Sequence, residues 1–175
     1  MPGSPAHLIR RFLDVATARR LTGAESDMVS GWLTPELAEL FFAQNRADRR
    51  HGHHAALRII ASGVEDRDVV IAALVHDIGK RHARLGIVGR SLASVLILLG
   101  LPLTDRMGAY RDHGLIGARE LGSVSAPALA IDFAIHHHRE RPESIDPGTW
   151  ETLISADQPP KASSKLARRI TSTAT

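Results

Sequence analysis

The sequence predicts an all-α protein, folded as a single compact helical bundle. Apolar residues recur at helical spacing along most of the chain, and no segment of useful length alternates apolar and polar residues as a half-exposed strand does. Several segments also begin and end with residue types that cap helices. The 175 residues are enough for one domain with a sizeable core, and 43% hydrophobic with 23% charged residues is typical of a soluble globular protein.

The predicted helices follow one another with short connections. The first is indicated by apolar residues at helical spacing over 8–16. The second begins at Thr34-Pro35-Glu36, which combines an N-cap, a proline at the first helical position and an acid in the first turn. The others are predicted over 48–62, 67–77, 91–99, 112–121, 126–137 and 147–156. The most apolar stretch, 91–103, is shorter than the roughly 20 residues that span a bilayer, so it is predicted to be a buried core helix.

These helices suggest an organisation in three parts. Residues 1–47 are expected to form N-terminal helices that pack on the domain, 48–158 its metal-binding core, and 159–175 a basic, flexible tail. No uninterrupted apolar run near the N-terminus resembles a secretory signal, so we expect a cytoplasmic protein without a membrane span.

Composition restricts the chemistry that the chain can carry. It has no cysteine, which excludes disulfides and thiolate metal sites, whereas its ten histidines offer imidazole ligands. The net charge of +3 favours anionic partners only weakly. Aromatic residues make up 4% of the chain and form no base-stacking cluster, which argues against nucleic-acid binding as the main function.

The segment ALVHDIGK, residues 73–80, places an imidazole and a carboxylate at the end of an apolar run. On a helix, His76 would lie over Ala72 and Ala73, and Asp77 over Ala73 and Val70, all of which face the core. A buried carboxylate costs several kcal/mol unless it is paired or coordinated. The pair is therefore a candidate metal ligand set; the alternative is a helix end that emerges into solvent, with Gly79 as its C-cap.

Histidines or an aspartate mark the ends of four further helical segments. They are His51, His53 and His54 in DRRHGHH, His113 in YRDHGLIG, His136 to His138 in AIHHHRE, and Asp157 in LISAD. Repetition of this pattern in a chain without cysteine favours a metal site built from histidine and carboxylate.

The order of these motifs resembles that of the HD-domain superfamily of metal-dependent phosphohydrolases. The matching motifs are DRRH at 48–51, HDIGK at 76–80, HGLIG at 113–117, HHRE at 137–140 and SAD at 155–157. The third and fourth are similar to those of the two-metal branch, which includes the HD-GYP phosphodiesterases. The chain continues RERPESIDPGTW where those proteins carry GYP, so it looks more like the small stand-alone bacterial HD proteins, and a cyclic-dinucleotide substrate is not implied.

The resemblance implies an HD-type helical bundle whose core holds two divalent transition-metal ions, for which Mn, Fe, Ni and Zn are candidates. Asp77 would bridge the two ions. His51, His76 and Asp157 would complete the ligands of one ion, and His113, His137 and His138 those of the other. His53 and His54 are alternatives to His51 as the first ligand.

The resemblance also implies hydrolysis of a small phosphorylated substrate, such as a phosphomonoester, nucleotide or phosphodiester, by a metal-activated hydroxide. Asp77 and Lys80 are the predicted catalytic residues. Lys80 would steady the phosphate charge; the alternative is a solvated surface lysine. Arg81, Arg84 and Arg90 could contact an anionic substrate or, alternatively, be solvated arginines.

Two other functions stay compatible with this sequence. Some HD-type enzymes with a similar ligand set are di-iron oxygenases. Identification of the bound metal and a test for oxygen dependence would distinguish that activity from hydrolysis. A non-catalytic HD module that binds a nucleotide or a partner is the other, and an incomplete ligand set would favour it. The sequence does not predict the oligomeric state.

Overall fold

The computed structural model describes residues 19–158, which are helical and contain no strand. The prediction of an all-α single domain is confirmed for this part of the chain. Its helices are α1 (Gly23–Trp32), α2 (Pro35–Phe42), α3 (Arg46–Ala61), α4 (Arg67–Val75), a 3₁₀ helix (Ile78–Ala83), α5 (Ile87–Leu98), α6 (Asp105–Arg111), α7 (His113–Ser123), α8 (Ala128–His136) and α9 (Pro147–Asp157). The helix predicted over 8–16 and the tail at 159–175 lie outside the described residues.

Side-chain caps start many of these helices. At α1, Thr22 and Glu25 form a capping box, and at α2 the predicted Thr34 cap precedes Pro35. Each cap satisfies a backbone N–H that the helix leaves unpaired, and such a bond contributes about 1 kcal/mol. The capping residues are Thr22, Thr34, Asn45, Asp66, Thr104 and Asp146.

Helix α4 is the centre of the bundle. Every residue from Val69 to Val75 is buried, and α1, α2, α3, α8 and α9 pack around it. Phe41 from α2 and Phe133 from α8 are among the largest fully buried side chains of this core. Full burial of such a side chain contributes roughly 1.5–3 kcal/mol. The apolar lead-in to His76 is therefore a core helix, as predicted.

The 3₁₀ helix continues inward from the end of α4 rather than out to solvent. A Cβ at Gly79 would lie 2.7 Å from the Gly117 amide nitrogen of α7, and even closer to the His113 carbonyl oxygen. Only glycine allows this backbone approach. Ile78, Gly79 and Lys80 are buried. The alternative of a solvated helix end with Gly79 as its C-cap is therefore wrong.

The apolar stretch 91–103 is not a core helix, so that prediction is wrong. Helix α5 packs mainly on α6 and buries only Ala93, beside Ala83 and Tyr110. Large apolar side chains on this stretch and just before it are exposed, namely Val88, Leu92, Val95, Ile97, Leu98, Leu99 and Leu101. Within residues 19–158, no helix is long and apolar enough to cross a membrane.

Candidate metal centre

The seven predicted metal ligands converge in one region of the bundle. His51 lies in α3, His76 and Asp77 follow α4, His113 begins α7, His137 and His138 follow α8, and Asp157 ends α9. Their ligand atoms include two groups that could hold a metal ion, one of His113, His137 and His138 and one of His51, His76 and Asp77, each within 4.8 Å. Five helices thus contribute to the same place.

The buried rings of His113 and His137 face each other, with their Nε2 atoms 3.3 Å apart. His113 Nδ1 donates to the Tyr110 carbonyl at 2.7 Å, and His137 Nδ1 donates to the Ala134 carbonyl at 3.0 Å. Because a carbonyl only accepts, each Nδ1 carries a hydrogen, and a ring with this tautomer turns the lone pair of Nε2 inward. Asp77 Oδ1 lies 3.4 and 3.5 Å from these two nitrogens.

In this tautomer the three atoms are acceptors without a donor between them. Asp77 Oδ1 is buried and has no hydrogen-bond partner among residues 19–158. A buried unsatisfied polar group costs about 1–3 kcal/mol. Burial lowers the pKa of His137, which disfavours a proton on that ring as the solution. A metal cation between His113, His137 and Asp77 would satisfy all three.

The second group gathers on the other oxygen of Asp77. His76 Nδ1 donates to the Ala73 carbonyl at 3.0 Å, and its Nε2 lies 3.5 Å from Asp77 Oδ2 and 3.1 Å from Asp157 Oδ1. His51 Nε2 lies 2.7 Å from Asp157 Oδ1 and 3.8 Å from Asp77 Oδ2. Burial alone would lower the pKa of His76, but the Asp77 and Asp157 carboxylates outweigh it and raise that pKa. A proton would therefore compete with a metal for this ring.

Lys80 supplies the cation closest to Asp77. Its Nζ lies 2.5 Å from Asp77 Oδ2, and its side chain is 4% exposed. Burial would raise the pKa of Asp77, but the charges of Lys80 and His76 hold it well below its usual range. The alternative of a solvated surface lysine is therefore wrong. Asp77 is ionised, and each of its two oxygens faces histidines.

Three further histidines, His138, His53 and His54, differ in their position relative to the two groups. His138 is exposed, and its ring centre lies 4.0 Å from that of His137, at the open side of the group. His53 is 2% exposed and lies beside His54, with the two rings tilted by 47°, and Glu25 and Arg50 are its charged neighbours. The structure therefore brings His51 to Asp77, and neither His53 nor His54 belongs to the two groups.

Sequence reasoning missed the ion pairs that support the centre. Asp48, the first residue of DRRH, is 5% exposed. It accepts hydrogen bonds from both terminal nitrogens of Arg90, at 2.6 and 2.8 Å. Arg81 pairs with Glu120 at 2.5 Å. Neither Arg81 nor Arg90 is a simply solvated arginine. The available signal was the spacing of Asp48, one helical turn before His51, but its partner is 42 residues away.

Imidazole nitrogens and carboxylate oxygens are the ligand types that Mn, Fe, Ni and Zn accept. Backbone carbonyls that orient His76, His113 and His137 are the outer partners that usually accompany metal-bound histidine. The described residues thus fit a metal centre by both donor chemistry and orientation. Comparisons of the chain with protein-family models, with curated proteins and with solved structures found no match.

Proposed function

We propose that the chain is a metal-dependent phosphohydrolase of the HD-domain type, which acts in the cytoplasm on a small phosphorylated substrate. The observation that carries this proposal is the position of Asp77 between two imidazole groups. Its Oδ1 faces His113 and His137, and its Oδ2 faces His76 and His51. A carboxylate with one oxygen toward each group is suited to bridge two cations.

Asp77, His51, His76 and Asp157 would hold one ion, and Asp77, His113, His137 and His138 the other. When bound, two such cations supply an activated water at neutral pH and positive charge for the phosphoryl oxygens. The Lys80 ammonium, beside Asp77, adds positive charge for a phosphate. The side chain of His51 is 35% exposed and that of Asp157 is 20% exposed, so substrate would approach from their side.

The first experiment is elemental analysis of protein purified without chelator, beside Asp77→Ala and the isosteric Asp77→Asn. We expect about two Mn, Fe, Ni or Zn ions per wild-type chain and a clear loss in both variants. Phosphomonoester and phosphodiester hydrolysis should fall with the metal content, while circular dichroism keeps its helical signal. His82→Ala is the control, because this exposed histidine contacts Glu120 rather than the centre.

Other outcomes would replace the proposal. Oxygen uptake by iron-loaded protein without ester hydrolysis would identify an oxygenase. No bound metal after reloading with each ion would leave a non-catalytic binding module. Full hydrolase activity in Asp77→Asn would show that the site has been assigned wrongly.

A further inference from the structure

A second feature lies directly beside the candidate metal centre. A cavity of about 330 Å³ opens between the start of α3 and the turn that leads from the 3₁₀ helix into α5. Its volume is that of a small-molecule site. Four of its nine lining residues are cationic and none is acidic; the cations are Lys80, Arg81, Arg84 and Arg90.

Lys80 joins the cavity to the centre, because it lines the cavity and its Nζ contacts Asp77. Three of the four cations already have an acidic partner that is not itself part of the cavity wall. Lys80 pairs with Asp77, Arg81 with Glu120, and Arg90 with Asp48. These acids hold the cations in place at the wall.

Arg84 differs from these three. It is exposed, and its side chain has no hydrogen bond or ion pair with any residue of 19–158. The cavity therefore carries one positive charge more than its neighbouring acids neutralise. A guanidinium in this state offers two parallel N–H donors to an oxyanion.

The backbone of Arg84 is held in an unusual conformation. Its φ of 48° and ψ of 35° lie in the left-handed region, which disfavours every residue except glycine. Arg106 fixes this turn, since its side chain donates to the Ala83 carbonyl at 3.1 Å and also to the Arg84 carbonyl. Glycine would adopt the turn more easily, so the arginine side chain is present at a cost in stability.

We propose that this cavity binds a second anionic group of the substrate, while the phosphoester itself lies at the metal centre. The substrate class is then a phosphoester that bears at least one further phosphate or carboxylate. That the anion belongs to a substrate rests on the proposed function. Binding of an anion in the cavity does not itself require hydrolysis.

The test measures calorimetric binding of inorganic pyrophosphate to chelator-treated full-length protein. Arg84→Gly and Arg84→Ala are compared with wild type, and Arg67→Ala is the control because Arg67 is exposed at the far end of α4. Loss of the Arg84 contact should weaken pyrophosphate binding about tenfold, which corresponds to about 1.4 kcal/mol. Arg84→Gly should unfold at a temperature no lower than wild type, because glycine relaxes the turn.

The outcomes separate the two proposals. Equal pyrophosphate affinity in wild type and both Arg84 variants, or equal weakening by Arg67→Ala, overturns the anion site whatever the hydrolase assays give. Binding that depends on Arg84, in a protein that hydrolyses no phosphoester, supports the anion site and overturns the proposed function. Pyrophosphate binding that depends on Arg84, together with a higher KM for polyanionic esters in the Arg84 variants than in wild type, supports both the anion site and the proposed function.

Discussion

A single backbone hydrogen bond decides how each buried imidazole can be used. His76, His113 and His137 each donate Nδ1–H to the carbonyl of the residue three positions earlier. The bond is local to the helix end, so the same short motif that places the histidine also points its Nε2 inward. This is why the inward-facing histidines could be found from short sequence motifs as candidate ligands, although nothing in the motifs gives the distances between them.

Lys80 shows the opposite case, in which the sequence left two alternatives and packing decided between them. Its ammonium neutralises Asp77 inside the core, and this depends on the 3₁₀ helix that carries it inward. The pairing of Asp48 with Arg90 likewise depends on how α5 returns to α3. The Asp48–Arg90 contact joins residues 42 positions apart, and the Lys80–Asp77 contact is local but depends on burial. Neither could be read from one sequence.

Lys80→Met should separate the role of the lysine from that of a bound ion. Without metal, the change removes the closest cation from the buried Asp77 carboxylate and leaves His76 as its remaining charge partner, so the free energy of unfolding should fall by up to about 3–5 kcal/mol. With metal, the loss should be much smaller and metal affinity should rise, because a competing cation has been removed. Urea unfolding with and without Mn²⁺ measures both effects.

Arg119→Met is the matched control, since this exposed arginine of α7 can lose its charge with little effect on unfolding. An equal loss of stability with and without metal in Lys80→Met would contradict the idea that lysine and metal share Asp77.

At the scale of helices, the strong periodic segments were predicted and the weak ones were not. Helices α1 and α6 were not predicted because each contains glycine and buries a single residue, Val29 or Tyr110, so its apolar periodicity is weak. The stretch 91–103 was misassigned for a different reason. An apolar sequence predicts burial, but only the packing of α5 on α6 determines how much of its surface is covered.

Gly79→Ala tests the close contact between the 3₁₀ helix and α7. The added Cβ would meet the backbone of His113 and Gly117, which cannot move aside as a side chain can. We expect a loss of about 1–3 kcal/mol in the free energy of unfolding, together with weaker metal binding, because Asp77 would shift away from His113. Thermal unfolding and metal titration measure the two effects.

Gly122→Ala, in the same helix α7, is the control. A Cβ at Gly122 meets nothing within 4 Å, so this change should be neutral or stabilising by up to about 1 kcal/mol. If both alanine variants behaved alike, the tight approach at Gly79 would not be important for the centre.

Glu25 links the start of α1 to α3, and its charge should make that link dependent on pH. The hydrogen bond from Arg50 and the capping box at Thr22 lower the pKa of Glu25 from 4.5 to about 2. A lowered folded pKa stabilises the fold above the unfolded value, and this contribution disappears as the pH falls from about 5 towards 2. Glu25→Gln should therefore cost about 1 kcal/mol at neutral pH and little at pH 2.

Chemical unfolding of both proteins across this pH range tests the link. Glu65→Gln, an exposed acid between α3 and α4, provides the comparison. A Glu25→Gln effect that stayed constant with pH would mean that the carboxylate charge contributes nothing.

At the scale of the whole molecule, the candidate centre lies where five helices bring their ligands together, namely α3, α4, α7, α8 and α9. A ligand that binds only the folded state stabilises it by about 2.7 kcal/mol at a hundred times its Kd. For a domain of this size, that corresponds to a rise in Tm of roughly 5–10 °C. Differential scanning calorimetry should show such a rise with at least one of Mn²⁺, Fe²⁺, Ni²⁺ and Zn²⁺.

Asp77→Asn should remove that rise while still unfolding in one transition. The same metal-induced rise in wild type and in Asp77→Asn would place the stabilising ion elsewhere in the chain.

The positions of the ligands at helix ends also bear on how quickly an ion could leave. His51 and Asp157 are separated by more than a hundred positions in the chain but by 2.7 Å in space. An ion held between them would close a long loop, as a cross-link does, and would restrict the unfolded chain more than a short-range link. Escape would require His51 and Asp157 to release the ion and separate first. We therefore expect metal exchange to follow the slow local opening of the bundle, and amide hydrogen exchange at the ends of α4, α8 and α9 to report the same rate.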